Sequence, residues 1–374
     1  MKTIMPYQTI GIMGGGQLAR MMCLAAKAMG YRTAVLDPTP NCPAGQVADV
    51  EITAAYDDAE AGKRLAAESD VITYEFENVH YTAIEQLEGI VYLPQGSTVL
   101  KLAQHRYSEK RAISEMGIAV ADFCLIDSAH TLEKNATYPS VLKTTRGGYD
   151  GKGQMVLRTE ADLTLARELA ASAECVLEKF VNFSKEVSVI AARSTTGEIK
   201  IFPVSENIHV NGILHKCIVP ARISADVERQ AIACAKKIVE NLAWVGVMGI
   251  EMFVADEKIV INEIAPRPHN SGHYTIDACV TNQFEQHVRA VCGLPLGDTS
   301  LFSPVVMVNI LGEHMDKHNL SNLSEYIPLL PAGKIHLYGK AQAANGRKMG
   351  HINLLGDIKK SLESVDASGI WKNA

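Results

Sequence analysis

The segment Gly249-Ile-Glu-Met-Phe-Val-Ala-Asp-Glu-Lys-Ile-Val-Ile-Asn-Glu-Ile-Ala-Pro-Arg-Pro-His-Asn270 decides how this chain is read. Residues 249–255 and 259–265 have the composition of two short strands, and Asp256-Glu257-Lys258 is the polar turn between them. Antiparallel pairing across that turn sets Glu251 opposite Glu263. Two adjacent carboxylates on a mostly apolar hairpin repel each other and resist burial. A divalent cation removes the conflict, and Asn262 adds a neutral oxygen suited to magnesium. The alternative is a solvated hairpin face. The residues that follow favour a site: Arg267, His269, Asn270, Ser271 and His273 gather donors in one loop, as an anion would require.

Working outward, Val141-Leu-Lys143 reads as a strand and is followed by Thr144-Thr-Arg146-Gly147-Gly148-Tyr149-Asp150-Gly151-Lys152-Gly153-Gln154. This predicts a hairpin with a mobile cationic tip able to fold over phosphates. It lacks the GxxxxGK[ST] spacing, and a strand rather than a helix follows it.

Near the start, an apolar run over residues 7–13 leads into Gly14-Gly-Gly-Gln17, a helical period over 18–29 and a strand over 32–37. That order opens a parallel α/β domain. The glycines admit close approach of a ligand, and the helix start offers N–H groups to an anion. Asp37 stands where a dinucleotide-binding domain places its ribose-binding acid, but Met13 fills the middle glycine position of GxGxxG and Pro38 follows the acid. A dehydrogenase is the reading this imperfect fingerprint suggests. Glu75, Glu77 and Asn78 follow the strand 71–74 at its carboxyl end, where parallel sheets bind ligands, or they are acidic residues of a helix start.

A helix is expected over 99–116, carrying Lys101, His105, Arg106 and Lys110 as a basic or simply solvated face. Strands are expected over 175–181 and 185–190, with polar ends suited to an adenine cleft, and over 201–210. Helices are expected over 161–172, 224–242 and 275–292; His287 in the last reads as a structural or surface histidine. Beyond Pro295 the chain is strand-rich, with a basic, glycine-bearing turn over 340–353 that fits either a phosphate clamp or a plain hairpin.

A chain of 374 residues holds two or three domains. A formal charge of −6, with no long basic run, gives no support for nucleic-acid binding. Eight scattered cysteines read as reduced thiols of a cytoplasmic protein. The first ten residues lack a signal-peptide core, and no apolar run is long enough to span a membrane.

Taken together, Gly14-Gly-Gly-Gln-Leu-Ala-Arg-Met21, Tyr74-Glu-Phe-Glu-Asn-Val79, Arg146-Gly-Gly-Tyr-Asp-Gly-Lys-Gly-Gln154, Asn262-Glu-Ile-Ala-Pro-Arg-Pro-His-Asn-Ser-Gly-His273 and the tail from Gly339-Lys340 to Asn353 resemble the ATP-grasp enzymes, and among them the ligases that carboxylate 5-aminoimidazole ribonucleotide. The likeness runs nearly end to end. Ala19 departs from it, standing where the family usually has glycine.

The resemblance implies an ATP-grasp fold: an N-terminal parallel α/β domain (1–100), a lid domain (101–185) and an α+β C-terminal domain with the metal site and basic tail (186–374). It implies ATP and magnesium, with manganese as an alternative, and the substrates bicarbonate and 5-aminoimidazole ribonucleotide. Glu251 and Glu263 would hold the metal. Lys101, Lys143, Gly148, Gly151, Glu178, Lys179, Val181, Glu186, His209 and Asn262 would serve the nucleotide. Gly16, Gln17, Leu18, Glu75, Tyr149, Lys340, Arg347 and Lys348 would serve the ribonucleotide. Asp150, Lys152, Arg267, His269, Asn270 and His273 would act on the reacting groups, with Asp150 the first candidate for the base. A homodimer, and passage of product to a mutase acting next, are further expectations. Another ATP-grasp ligase, such as a formate-dependent glycinamide ribonucleotide transformylase, and a noncatalytic nucleotide-binding protein are the competing readings.

Overall fold

The computed structural model describes residues 2–77, 79–148, 153–315, 331 and 333–368. The first sheet contains β1 (Thr9–Met13), β2 (Arg32–Asp37), β3 (Val50–Thr53) and β4 (Val71–Tyr74), in the order β3-β2-β1-β4. All its pairings are parallel. Ile10, Ile12, Val35, Leu36, Val71 and Ile72 are buried, as expected where helices cover both faces of a parallel sheet. The helix Gln17–Ala28 follows β1 and buries Leu18, Ala19, Met21, Met22 and Cys23.

The second sheet is antiparallel, with order β5-β8-β6-β7: β5 (Phe123–Ile126), β6 (Ser140–Thr144), β7 (Gln154–Leu157) and β8 (Cys175–Lys179). The glycine-rich loop joins β6 to β7, which pair as a hairpin. Residues 149–152 of that loop, including the proposed Tyr149, Asp150, Gly151 and Lys152, lie outside the described residues.

Among the described residues nine strands make the third sheet: β9 (Lys185–Arg193), β10 (Ile199–Ile201), β11 (Ser205–Val210), β12 (Ile213–Val219), β13 (Gly246–Ala255), β14 (Lys258–Ala265), β15 (Val305–Leu311), β16 (Gly333–Leu337) and β17 (Lys348–Leu355). Its order is β14-β13-β9-β11-β12-β15-β17-β16, with β10 on β9. The acidic hairpin and the basic tail therefore share one sheet. We propose the division 1–100, 101–185 and 186–374, which assigns one sheet to each part apart from Lys185, the first residue of β9.

In the hairpin β13–β14, Glu251 pairs with Glu263, while the next pair is Met252 with Ile261. Asn262 is thus an extra residue on β14, a bulge. Strict alternation would turn Asn262 away from Glu263; the bulge lets both serve one face. Gly249 answers a close approach, since a Cβ there would lie 2.5 Å from that of His269.

Two expected helices are broken. The span 99–116 is Thr98–Ala103 and Arg106–Glu115, because His105 leaves the helix and its imidazole accepts from Ser108 N–H as a cap. The span 275–292 is Thr275–Ala278 and Gln283–Val291; between them Cys279 bridges Leu301, and Asn282 caps the second helix through Phe284 and Glu285 N–H.

Candidate active site

A cleft of about 1350 Å³ runs between the three sheets. Gln17, Leu18, Glu75, Lys143, Gly148, Glu178, Lys179, Val181, Glu186, His209, Glu251, Asn262, Glu263, Arg267, His269, Asn270, Lys340, Arg347 and Lys348 all line it. Residues separated by more than three hundred positions thus face one space.

At its centre the two hairpin carboxylates have unequal partners. Arg106 donates to Glu263 at 2.8 Å and to the carbonyl of Gly148, in the glycine-rich loop, at 2.9 Å. Burial would raise the Glu263 pKa, but the Arg106 charge and hydrogen bond hold it below the usual value. Glu251 lies 3.3 Å from His269 Nε2. Burial, then the charge of Glu263, pushes Glu251 up to about 7. Burial and neighbouring Arg267 depress the His269 pKa well below its normal range, so that ring gives Glu251 no full positive charge.

The donor set fits magnesium. Glu251, Glu263 and the bulged Asn262 offer oxygens, and the charges of His209 and Lys348 do not offset the burial and the Glu263 charge that raise Glu251, which leaves room for a cation. Among the described residues no group of three or more His, Cys, Asp or Glu side chains forms a metal cage. The protein would therefore supply two carboxylates, and phosphate and water oxygens would complete the shell, as magnesium prefers.

Lys143 and Lys110 both reach Glu178 at 3.1 Å, and Lys110 donates to the Asn262 carbonyl at 3.0 Å. The sharing fixes Lys143 at the cleft wall beside the bulge, 3.5 Å from Asn262 Oδ1. Beyond it, Phe180, Val181 and the parallel-stacked rings of Phe183 and Phe253, 4.5 Å apart, make an apolar end suited to a planar base. His209 and Glu186 pair at 3.0 Å on the same wall.

On the opposite wall, Arg267 grips Glu77 through Nε and, at 2.9 Å, through Nη2. Burial opposes ionisation of Glu77, yet Arg267 holds it down to about 2. The forked donor expected to hold an external anion is therefore already engaged by a carboxylate of the protein, and its Nη1 also donates to Pro268 O. Lys340 donates to Lys348 O at 2.7 Å and Arg347 to Gln342 O at 2.8 Å, which shapes the basic turn beside the cleft.

Three expected residues stand elsewhere. Lys101 does not line the cleft; its ammonium lies 4.6 Å from the Tyr81 ring centroid, on the outer side of its helix. His273 is wholly buried against His351 and Phe284, with Gln283 donating to its Nδ1. Gly16 does not line the cleft either, because its N–H donates to Glu75 at 2.6 Å while Ala19 N–H donates to the other oxygen of Glu75 at 2.9 Å. The anion at this helix start is Glu75 itself. Asp37 does not line the cleft; it accepts from Gly15 N, Thr39 N and the Tyr56 hydroxyl.

Arg106, Lys110, Glu77 and Glu109 pack around this centre; pattern reading leaves Arg106 and Lys110 between a basic and a solvated face, leaves Glu77 between a ligand and a helix start, and misses Glu109. Glu109 is buried, accepts from Ile264 N–H and is pushed up to about 8 by burial and the charge of Glu263. A signal existed: Arg106, Glu109, Lys110 and Ile113 occupy the i, i+3, i+4, i+7 stripe that faces a core, with charges where apolar residues belong.

Family models match along the chain: a ribonucleotide synthetase preATP-grasp domain at residues 7–104, an ATP-grasp domain at 111–284 and a phosphoribosylaminoimidazole carboxylase C-terminal domain at 305–365. N5-carboxyaminoimidazole ribonucleotide synthase from Bacillus subtilis (strain 168) is 50% identical over 357 residues, covering 94% of this chain and 92% of the relative. The crystal structure of an N5-carboxyaminoimidazole ribonucleotide synthetase in complex with ADP superposes with a TM-score of 0.96 at 55% identity, covering 100% of this chain and 99% of that one. The Aspergillus clavatus N5-carboxyaminoimidazole synthase, solved with ADP and 5-aminoimidazole ribonucleotide, gives a TM-score of 0.89 at 29% identity over 96% of this chain and 97% of its own. With sheet order, cleft and relatives in agreement from end to end, the chain belongs to the N5-carboxyaminoimidazole ribonucleotide synthase family of ATP-grasp enzymes.

Proposed function

We propose that this chain is an ATP-dependent carbon–nitrogen ligase of purine biosynthesis. It joins bicarbonate to the exocyclic amine of 5-aminoimidazole ribonucleotide and yields N5-carboxyaminoimidazole ribonucleotide, ADP and phosphate. The observation that carries this is the single cleft in which the acidic hairpin, Lys143, the 267–270 loop and the basic turn 340–348 converge. The relative solved with both ADP and the ribonucleotide supports the same pair of ligands here.

Bicarbonate oxygen attacks the γ-phosphoryl group of ATP, giving carboxyphosphate, which releases carbon dioxide within the site for capture by the amine. Glu251 and Glu263, with the oxygen of Asn262 beside them, would hold magnesium, which would neutralise charge on the phosphoryl oxygens. Lys143 adds a fixed positive charge beside them. Glu178, Lys179, Val181, Glu186 and His209 form the nucleotide wall. Arg267, His269 and Asn270 are assigned to bicarbonate and carboxyphosphate, with the pair Glu77–Arg267 keeping the guanidinium in place. Gln17, Leu18, Lys340, Arg347 and Lys348 are assigned to the ribonucleotide, and Glu75 acts on that side by holding the glycine turn. The glycine-rich loop is assigned as the lid that would keep water from the short-lived carboxyphosphate; its Tyr149, Asp150, Gly151 and Lys152 lie outside the described residues, and Asp150 is assigned as acceptor of the amine proton.

Eight free cysteines support a reducing, cytoplasmic setting. Among the described residues no helix is long and apolar enough to cross a membrane. A homodimer, and delivery of product to the mutase acting next, are carried by the family resemblance; light scattering and a coupled assay test them.

The deciding experiment measures phosphate release from ATP and magnesium with enzyme alone, with bicarbonate, with 5-aminoimidazole ribonucleotide and with both. Labelled bicarbonate is followed into acid-labile product in parallel. Phosphate and labelled product rising together only in the full mixture is the expected result. Nucleotide binding with neither signal would reject this acceptor.

A further inference from the structure

Asn309 on β15, His351 on β17 and His336 on β16 are successive cross-strand partners and form one row across the third sheet. The segment after β14, up to the helix Thr275–Ala278, meets that row at Asn270, His273 and Asp277, spaced by three and four residues. Asn270 pairs with Asn309, the His273 ring lies 4.9 Å from that of His351, and Asp277 accepts from His336 at 2.7 Å. Only the first of these contacts touches a residue of the cleft wall.

The contact has a definite polarity. Asn309 Nδ2 donates to the Leu214 carbonyl on β12 at 2.8 Å and to Asn270 Oδ1 at 2.6 Å, and Asn270 Nδ2 donates back to Asn309 Oδ1 at 3.0 Å. A backbone carbonyl only accepts, so Leu214 dictates which end of the Asn309 amide faces it, and Asn309 then dictates the orientation of Asn270. Asn309 is fully buried and does not line the cleft.

We propose that Asn309 is a positioning residue for carboxylation, which locks the Asn270 amide in the orientation that presents its remaining N–H to the bicarbonate-derived anion. This rests on the assignment of Asn270 to that anion. The two-point pair commits one N–H and one lone pair of Asn270 and fixes where the others lie. A flipped amide exchanges donor for acceptor, and an anion loses its hydrogen bond.

The test is a double-mutant cycle on the full-length enzyme. Asn309→Asp keeps the shape but sets an acceptor against Leu214 O or Asn270 Oδ1. It is expected to raise the KM for bicarbonate about tenfold and to lower product formed per ADP, with nucleotide Kd and ribonucleotide KM within about twofold of wild type. In the Asn270→Ala background the same substitution is expected to change bicarbonate KM no further. Should Asn309→Asp not fold, Asn309→Ser carries the cycle. Additive effects in the two backgrounds overturn the assignment of Asn309. So does an unchanged bicarbonate KM in Asn309→Asp where Asn270→Ala raises it. An unchanged bicarbonate KM in Asn270→Ala overturns the placement of Asn270, and the proposal with it.

Discussion

The glycine turn at residues 14–16 and the acidic hairpin β13–β14 make opposite use of charge. At the glycine turn the helix start needs an anion, and the protein provides one: Glu75 takes the N–H groups of Gly16 and Ala19. At the hairpin the protein sets Glu251 beside Glu263 and gives a direct guanidinium hydrogen bond to only one of them, Glu263. The first region meets its carboxylate with hydrogen-bond donors, although burial still raises the Glu75 pKa, and the second is left open. A binding site for a charged ligand is therefore marked less by a motif than by a charge whose partner the fold withholds.

The contrast is open to direct attack. Glu263→Gln removes a proposed metal ligand from the open region. It is expected to slow phosphoryl transfer by about 10²–10³-fold. Nucleotide affinity, measured by calorimetry, should hold, since the base wall is untouched. Near-normal turnover at saturating magnesium would place the metal elsewhere. Glu77→Gln loosens Arg267 without touching the hairpin, and about a tenfold loss in kcat/KM for bicarbonate is expected from the weakened bidentate pair. A rise in ribonucleotide KM instead would move Arg267 to the other substrate.

At the glycine turn, Glu75→Gln is expected to act mainly on stability, by about 1–2 kcal/mol as for loss of a helix cap. Denaturant midpoints would show it. A ribonucleotide KM that rises while stability stays intact would make Glu75 a ligand after all.

The smallest effect concerns the joint between the two regions. His287 accepts from Val247 N–H on β13 at 3.1 Å, so its other nitrogen carries the proton and meets Thr73 on β4 at 2.8 Å. Burial depresses its pKa to about 3. Below the unfolded value of about 6.5, the unfolded state binds a proton that the folded state refuses, so this group's contribution to stability falls as pH falls. The stability advantage of wild type over His287→Gln is expected to shrink by up to about 1.4 kcal/mol per pH unit below pH 6.5. A constant difference from pH 7.5 to 5.5 would show that the joint does not depend on the neutral ring.

The parts of this architecture that rest on local pattern were legible in the sequence. The polar turn announces the acidic hairpin, and the strand–turn–helix order fixes the first sheet; the turn alone, which pairs Ala255 with Lys258, would set Glu251 against Asn262, and the bulge brings Glu263 opposite instead. Parts that depend on distant residues were not. Glu75 is 59 positions from Gly16, and nothing near either announces the cap. The bulge at Asn262 carries no glycine or proline. The break at His105 hides because histidine is a rare cap, whereas Asn282 with Glu285 three residues on is an N-terminal signature masked by apolar residues on both sides. Lys101 shows the reverse error, since a lysine in the right helix faces the wrong way.

The Asn270–Asn309 clasp has a consequence for synthesis of the chain. Its partners are 39 residues apart, and β15 and β17 must both emerge before the sheet around Asn309 is complete. At about 5–20 residues per second, the anion loop leaves the ribosome roughly 2–8 seconds ahead of the residue that orients it. The hairpin carboxylates are made still earlier. A nascent chain stalled before residue 305 thus carries the hairpin carboxylates and the arginine of this centre without the strand that sets their neighbour, and competence waits on β15 and β17.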